Sequence, residues 1–148
     1  MSASSIKVEL KQLENYRFSI DFGQQDQAWV SDEPPPLGGG QGPSPSQLLA
    51  AAVGNCLSDS LLFALRKFKQ SPEPIRTEVT AEIGRNAEGR LRVLNIHVSL
   101  HLGKPESELE HLDRVLGQFE AFCTVSQSVG QGVPILTKVF DAHGLALK

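Results

Sequence analysis

The chain has 148 residues, 21% of them charged, with 14 Lys and Arg against 17 Asp and Glu and a formal net charge of −3. That length suits one domain over residues 1–148 with a real core, and the charge balance gives no electrostatic case for nucleic acid or an anionic membrane as partner. The amino terminus lacks an apolar signal-peptide core, so the expected compartment is the cytoplasm, where the two cysteines read as free, metal-linked or redox-active rather than as a structural staple.

Ile6 to Leu13 alternates, with Ile6, Val8 and Leu10 on one face and Lys7, Glu9 and Lys11 on the other. Tyr16 to Phe22 alternates again, and both segments read as half-buried strands joined by a turn at Glu14 and Asn15. Ala28 to Ser31 reads as a third short strand holding Trp29. Asp32 to Pro43 contains Pro34, Pro35, Pro36, Gly38, Gly39, Gly40, Gly42 and Pro43, a composition that no regular element survives. It reads as a loop over the entrance of the next helix. It is not a phosphate loop, because no Lys-Ser/Thr follows the glycines and their spacing is wrong.

Ser44 to Lys69 reads as one long helix. Ser44 is placed to cap it, Pro45 takes the first helical position and Gln47 completes a capping box, while Arg66, Lys67 and Lys69 put positive charge at the carboxyl end. Its apolar residues leave almost no polar face before Arg66, the mark of a buried helix. Asn55, Ser58, Asp59 and Ser60 interrupt it too often for a membrane span on this reading. Cys56 lies mid-helix, and Asp59 and Ser60 share its face at the third and fourth following positions.

Thr77 to Ile83 and Leu94 to Leu102 alternate around a turn at Asn86 to Gly89, giving a second antiparallel hairpin with one wet face. Leu91 and Val93 have the opposite parity to Leu94, which predicts a bulge there. From Pro105 a second helix is expected, with Leu109, Leu112, Val115, Leu116, Phe119, Phe122 and Cys123 on one stripe, so that Cys123 points to the core as the helix ends. Thr124 to Val129 reads as a short further turn of helix stopped by Gly130, Gly132 and Pro134, and Ile135 to Ala142 as a final strand. Strands separated by helices without regular alternation argue an α+β fold with mostly antiparallel pairing.

The chemistry narrows by elimination. His97 and His101 share a strand face but sit ~13 Å apart there, too far for one metal ion, and no Cys/His spacing resembles a zinc site. No metal or cofactor is expected. Cys56 and Cys123 remain, and two readings stand open on pattern alone: inert core cysteines, or a redox pair. Cys56 is too deep in its helix to gain from the amino-terminal dipole, and burial and Asp59 both raise its pKa, so activation requires a cation from elsewhere. Arg17, on the polar face of the first hairpin beside Ser19 and Asp21, is the candidate.

Pro45-Ser46-Gln47-Leu48-Leu49-Ala50-Ala51-Ala52-Val53-Gly54-Asn55-Cys56 resembles the first-cysteine helix of the OsmC/Ohr family of hydroperoxide reductases, and Phe122-Cys123-Thr124-Val125-Ser126 resembles its second-cysteine motif. The resemblance implies an OsmC-like fold, antiparallel sheets wrapped around two central helices in an intertwined homodimer, with the loop from Asp32 to Pro43 bordering the pocket. It implies that Cys56 attacks a small organic hydroperoxide and becomes a sulfenic acid, and that Cys123 resolves it as a disulfide. An external dithiol reductant then reopens that disulfide. Family peroxidases carry a Glu ten residues before the first Cys, holding a catalytic Arg; Ser46 stands there in this chain, and Arg17 matches the Arg loosely. The alternative function is a non-catalytic dimer that binds a small apolar or thiol-reactive ligand in the same pocket.

Overall fold

The computed structural model describes residues 2–24, 26–133 and 135–148. Strands β1 (Glu9–Glu14), β2 (Arg17–Asp21) and β3 (Trp29–Ser31) form an antiparallel sheet in that order. The first helix, α1, spans Pro45–Lys67, and strands β4 (Arg76–Arg85) and β5 (Leu91–His101) form a second, two-stranded antiparallel sheet. Two short helices follow, α2 (Leu112–Leu116) and α3 (Thr124–Gln131), with a 3-10 turn ahead of each. The α+β architecture, its antiparallel sheets and its long central helix agree with the order of elements expected from the sequence.

Local chemistry sets these elements. The Ser44 hydroxyl accepts the Gln47 N–H at 3.2 Å and the Gln47 side-chain oxygen accepts the Ser44 N–H at 2.8 Å, so the capping box closes and starts α1. The β4–β5 register runs Glu82 opposite Asn95 and then Ile83 opposite Val93, leaving Leu94 as the extra residue of a bulge where the parity of the sequence changes.

Leu61 and Leu65 on α1 pack with Val115 and Phe119 to form the core, joined by half-buried Leu57, Phe68 and Leu112. On the other side of α1, Gly54 lies against Val79 of β4, and the Ser58 and Thr77 hydroxyls share a hydrogen bond of 2.6 Å. The helix is long and apolar enough to cross a bilayer, a point on which the sequence reading is corrected, since the four interrupting polar residues do not remove that property. In this fold it is the central core helix. Only part of its circumference is covered, however: Phe63 is 66% exposed.

The region after Pro105 differs from expectation. In place of one helix the chain makes a 3-10 turn at Glu106–Glu108, α2, a second 3-10 turn at Phe119–Phe122, and α3. His111 takes a left-handed conformation (φ 64°) ahead of α2, and Gly117 caps its end, so each interrupts the helical ladder. The inward half of the stripe survives these breaks, with Val115, Phe119 and Cys123 all buried. Phe122, expected on that stripe, is 77% exposed.

The final strand expected over Ile135 to Ala142 is not formed. The Asp141 carboxylate accepts the N–H groups of His143 at 2.8 Å and Leu145 at 2.9 Å, turning the chain back on itself so that Phe140 bridges Ala146. Pro134, the expected helix stop, lies outside the described residues.

A Cβ added at Gly54 would sit 2.4 Å from Cγ2 of Val79. Alanine there gains about 1 kcal/mol of helix propensity and loses about 1–3 kcal/mol by overpacking. Gly54→Ala is therefore expected to destabilise the fold by about 1 kcal/mol, read as a lower urea midpoint with an unchanged slope.

Candidate active site

Two parts of the chain bring the site together. The first is α1, which carries Cys56, Asp59 and Ser60 on one face. The second is the segment from Arg114 to Ser126, fastened to α1 by the Ser60 hydroxyl, which donates to the Phe119 carbonyl at 2.6 Å. Between them lies a cavity of about 690 Å³ whose wall includes Cys56, Phe63, Phe68, Phe119 and Phe122, with Asp59 and Ser60 beside the thiol. Asp59 is oriented by the Asn55 amide, which donates to it at 2.9 Å.

The two cysteines meet at the start of α3. Cys123 is 1% exposed and stands immediately before that helix in an extended conformation, while Cys56 is half-buried and faces the cavity. The Val125 N–H points at the Cys56 sulfur, 3.5 Å away. Neither cysteine is in a disulfide, and each thiol shifts the pKa of the other.

Their environments push them apart. Burial raises the Cys56 pKa, and the neighbouring Cys123 and Asp59 raise it further, against the lowering effect of the Val125 N–H. Burial also acts to raise Cys123, but the Ser126 hydroxyl, the Cys56 thiol and the N–H groups of Ser126 and Val125 outweigh it and bring Cys123 below its ordinary value. The start of α3 thus favours proton loss at Cys123 over Cys56, and the two thiols titrate as a pair.

Arg17 is not brought to this place. It lies in β2, 3.6 Å from Glu14, and lines a separate recess of about 80 Å³ with Asp32, Gly39 and Gln41. The buried Asp32 carboxylate organises the loop there by accepting the N–H groups of Glu33 at 2.8 Å, Gly39 at 3.2 Å and Gln41 at 3.1 Å. Within one chain the loop from Asp32 to Pro43 borders the Arg17 recess, and its backbone is tied to its own aspartate on the first sheet. The cations that do line the cavity are Lys67 and Arg114. In the sequence Lys67 is legible only as a helix-end charge and Arg114 carries no signal, because the break at Gly117 that sets α2 beside α1 has no strong periodic signature.

Comparison with known proteins agrees with this architecture. The family model described as OsmC-like protein matches residues 38–138. The chain belongs to that family. No curated protein sequence matches it. Among solved structures, an OsmC-like protein of unknown function from Vibrio cholerae superposes with a TM-score of 0.70 at 14% identity, covering 85% of this chain and 94% of that one. An OsmC-like protein from Mycoplasma pneumoniae gives 0.68 at 16% identity, covering 89% and 91%. The organic hydroperoxide resistance protein OhrB of Bacillus subtilis gives 0.65 at 16% identity, covering 85% and 90%. At these identities the likeness is one of fold.

The assignment of charge to the start of α3 has a direct test. Ser126→Ala removes the hydroxyl that lowers Cys123, so the pH profile of thiol alkylation by iodoacetamide, followed by mass spectrometry, should move to higher pH. Arg17→Ala should leave that profile in place. A shift of equal size in the Arg17 variant would mean that a guanidinium reaches the sulfur from outside this chain, and the assignment would be wrong.

Proposed function

We propose that this protein is a thiol-dependent peroxidase that reduces small organic hydroperoxides. The observation that carries the reading is the placement of Cys56 in the wall of an apolar cavity, with the Val125 N–H on its sulfur and the buried Cys123 beside it at the start of α3. Membership of a family that includes organic hydroperoxide resistance proteins supports it.

The steps follow from that geometry. Cys123 accepts the Cys56 proton, and the Cys56 thiolate attacks the distal oxygen of the hydroperoxide. The O–O bond breaks, the alkoxide leaves and takes up a proton as the alcohol, and Cys56 becomes a sulfenic acid. The Cys123 sulfur then attacks the Cys56 sulfur and expels water, which forms the Cys56–Cys123 disulfide. A dithiol supplies the two electrons that restore both thiols and is itself oxidised to a disulfide. Arg17 has no step within one chain, and Ser46 offers no carboxylate to anchor an arginine, so turnover is expected to be slow beside family members that keep the Glu.

The proposal includes a homodimer. Ile6, Leu10, Ile135 and Leu136 are between 55% and 96% exposed, and Phe63 of the core helix is open as well. Apolar surface of this extent marks an interface, and a second copy is the occupant the reading requires.

Peroxide consumption should be measured with cumene hydroperoxide and a dithiol reductant. Cys56→Ser is expected to abolish it, and Cys123→Ser to leave at most one turnover with Cys56 trapped as sulfenic acid. Mass spectrometry of the peroxide-treated wild type should find the Cys56–Cys123 disulfide. Equal consumption in both variants would end the peroxidase reading and favour a binding module. Sedimentation should give a dimer at low micromolar concentration; a stable monomer there would remove the dimer from the proposal.

A further inference from the structure

Cys56 shares its helix face with a carboxylate. Asp59 stands three residues beyond it on α1, and both side chains line the cavity. Residues three apart on a helix are neighbours, with Cβ atoms about 5–6 Å apart. The Asn55 amide donates to the Asp59 carboxylate at 2.9 Å and so orients it without neutralising it. Among the described residues no cation pairs with Asp59, whereas Arg17 is paired with Glu14, Arg66 with Glu73 and Arg76 with Glu78. The Ser60 hydroxyl does not shield it either, because that group donates to the Phe119 carbonyl at 2.6 Å.

The cations of the cavity stand farther from the sulfur. The Lys67 ammonium lies 5.5 Å from the centre of the Phe63 ring. Phe63 is seven residues beyond Cys56 on the same helix, about 10 Å along the axis at ~1.5 Å per residue. Arg114 lies over Phe68, twelve residues beyond Cys56 and about 18 Å along the same axis. Salt screens exposed charges over about 8 Å at physiological ionic strength. Asp59 is within that length of the sulfur and both cations are outside it, so the carboxylate sets the sign of the field there. Burial is the largest effect that raises the Cys56 pKa, and the Asp59 charge adds to it through space.

We infer that Asp59 is a specificity-determining residue whose carboxylate restricts Cys56 to uncharged oxidants and turns away those that carry negative charge beside the O–O bond. The inference rests on Cys56 being the reacting thiol of the function proposed above, and it narrows the substrate class of that function. An alkyl hydroperoxide carries no charge at neutral pH and meets no repulsion from Asp59. A peroxide anion is repelled by the Cys56 thiolate and by Asp59 together. The carboxylate also keeps more of the thiol protonated, but that loss of rate is the same for every oxidant. Only the repulsion discriminates between them.

The test uses reduced, full-length protein and two alkylating agents of similar size that differ by one charge, neutral iodoacetamide and anionic iodoacetate. Mass spectrometry of the Cys56 peptide follows each rate separately from reaction at Cys123. Both agents meet the same thiolate, so the ratio of their rates is independent of the thiolate fraction. Measured against the same ratio for N-acetylcysteinamide, wild-type Cys56 should favour iodoacetamide by about ten-fold at low ionic strength. Added salt should shrink that preference. Asp59→Asn can still accept from the Asn55 amide and should bring the ratio down to that of the free thiol, while Asp59→Glu should keep the preference. A substitution that merely loosened the fold would move both rates together and leave the ratio in place. No preference in the wild type, as when a second copy of the chain brings a cation against Asp59, would overturn the inference, and so would a preference that survives Asp59→Asn. A selective thiol in a protein that consumes no cumene hydroperoxide would retain the charge filter and remove the peroxidase reading. Peroxide consumption by a protein with an unselective thiol would do the reverse.

Discussion

The contact on which the site depends is the approach of the α3 start to the middle of α1. A thiol in the centre of a helix is poorly placed for chemistry, because the N–H groups around it are already bonded along the helix and burial favours its neutral form. Cys56 escapes this by meeting an N–H from another element, that of Val125, at 3.5 Å. The core contacts of Leu61 and Leu65 with Val115 and Phe119 hold the two parts at that separation, and the Ser60 bond to the Phe119 carbonyl fixes their relative height. Packing and chemistry therefore share the same residues: anything that slides α1 along the Val115–Phe119 ridge also withdraws Cys56 from Val125.

Much of the fold was legible because it rests on local rules. The Ser44–Gln47 cap, the alternation in β4 and β5 and the parity change at Leu94 are short-range patterns that the structure reproduces, whereas β1 pairs with β2 as expected but starts at Glu9 and leaves all its residues exposed in one chain. The cysteines were legible as inward-facing residues, and the upward pressure of burial and Asp59 on Cys56 followed from helix spacing. The cations of the cavity wall were not legible. Arg114 reaches the cavity only because the chain breaks at His111 and Gly117, and His111 gives no sequence sign of a left-handed conformation. The placement of Arg17 was equally hidden, since it depends on how Asp32 folds its own loop back onto the first sheet.

The exposed apolar residues have a related explanation. A sequence shows which residues are apolar, not which chain buries them. Ile135 and Leu136 lie in a segment with β-branched and aromatic residues suited to a strand, but β-pairing needs an edge to pair with. Within one chain the segment instead closes on itself through the Asp141 turn, and its side chains stay in solvent.

The most informative departure from the sequence pattern is the interruption between Val115 and Thr124. A continuous helix would satisfy the stripe of Leu112, Val115, Phe119 and Cys123 equally well, and it is what periodicity alone favours. In such a helix, however, the N–H of Val125 would bond to the carbonyl of Ala121, four residues earlier, and that of Ser126 to Phe122. Neither would then face a sulfur. Ending one helix at Gly117, passing through a 3-10 turn and restarting at Thr124 leaves the first N–H groups of α3 without partners in their own helix. Those unpaired donors act on Cys56 and Cys123. The break costs helical hydrogen bonds and exposes Phe122, and in return it sets an amino-terminal helix end against two thiols that would otherwise be inert core residues.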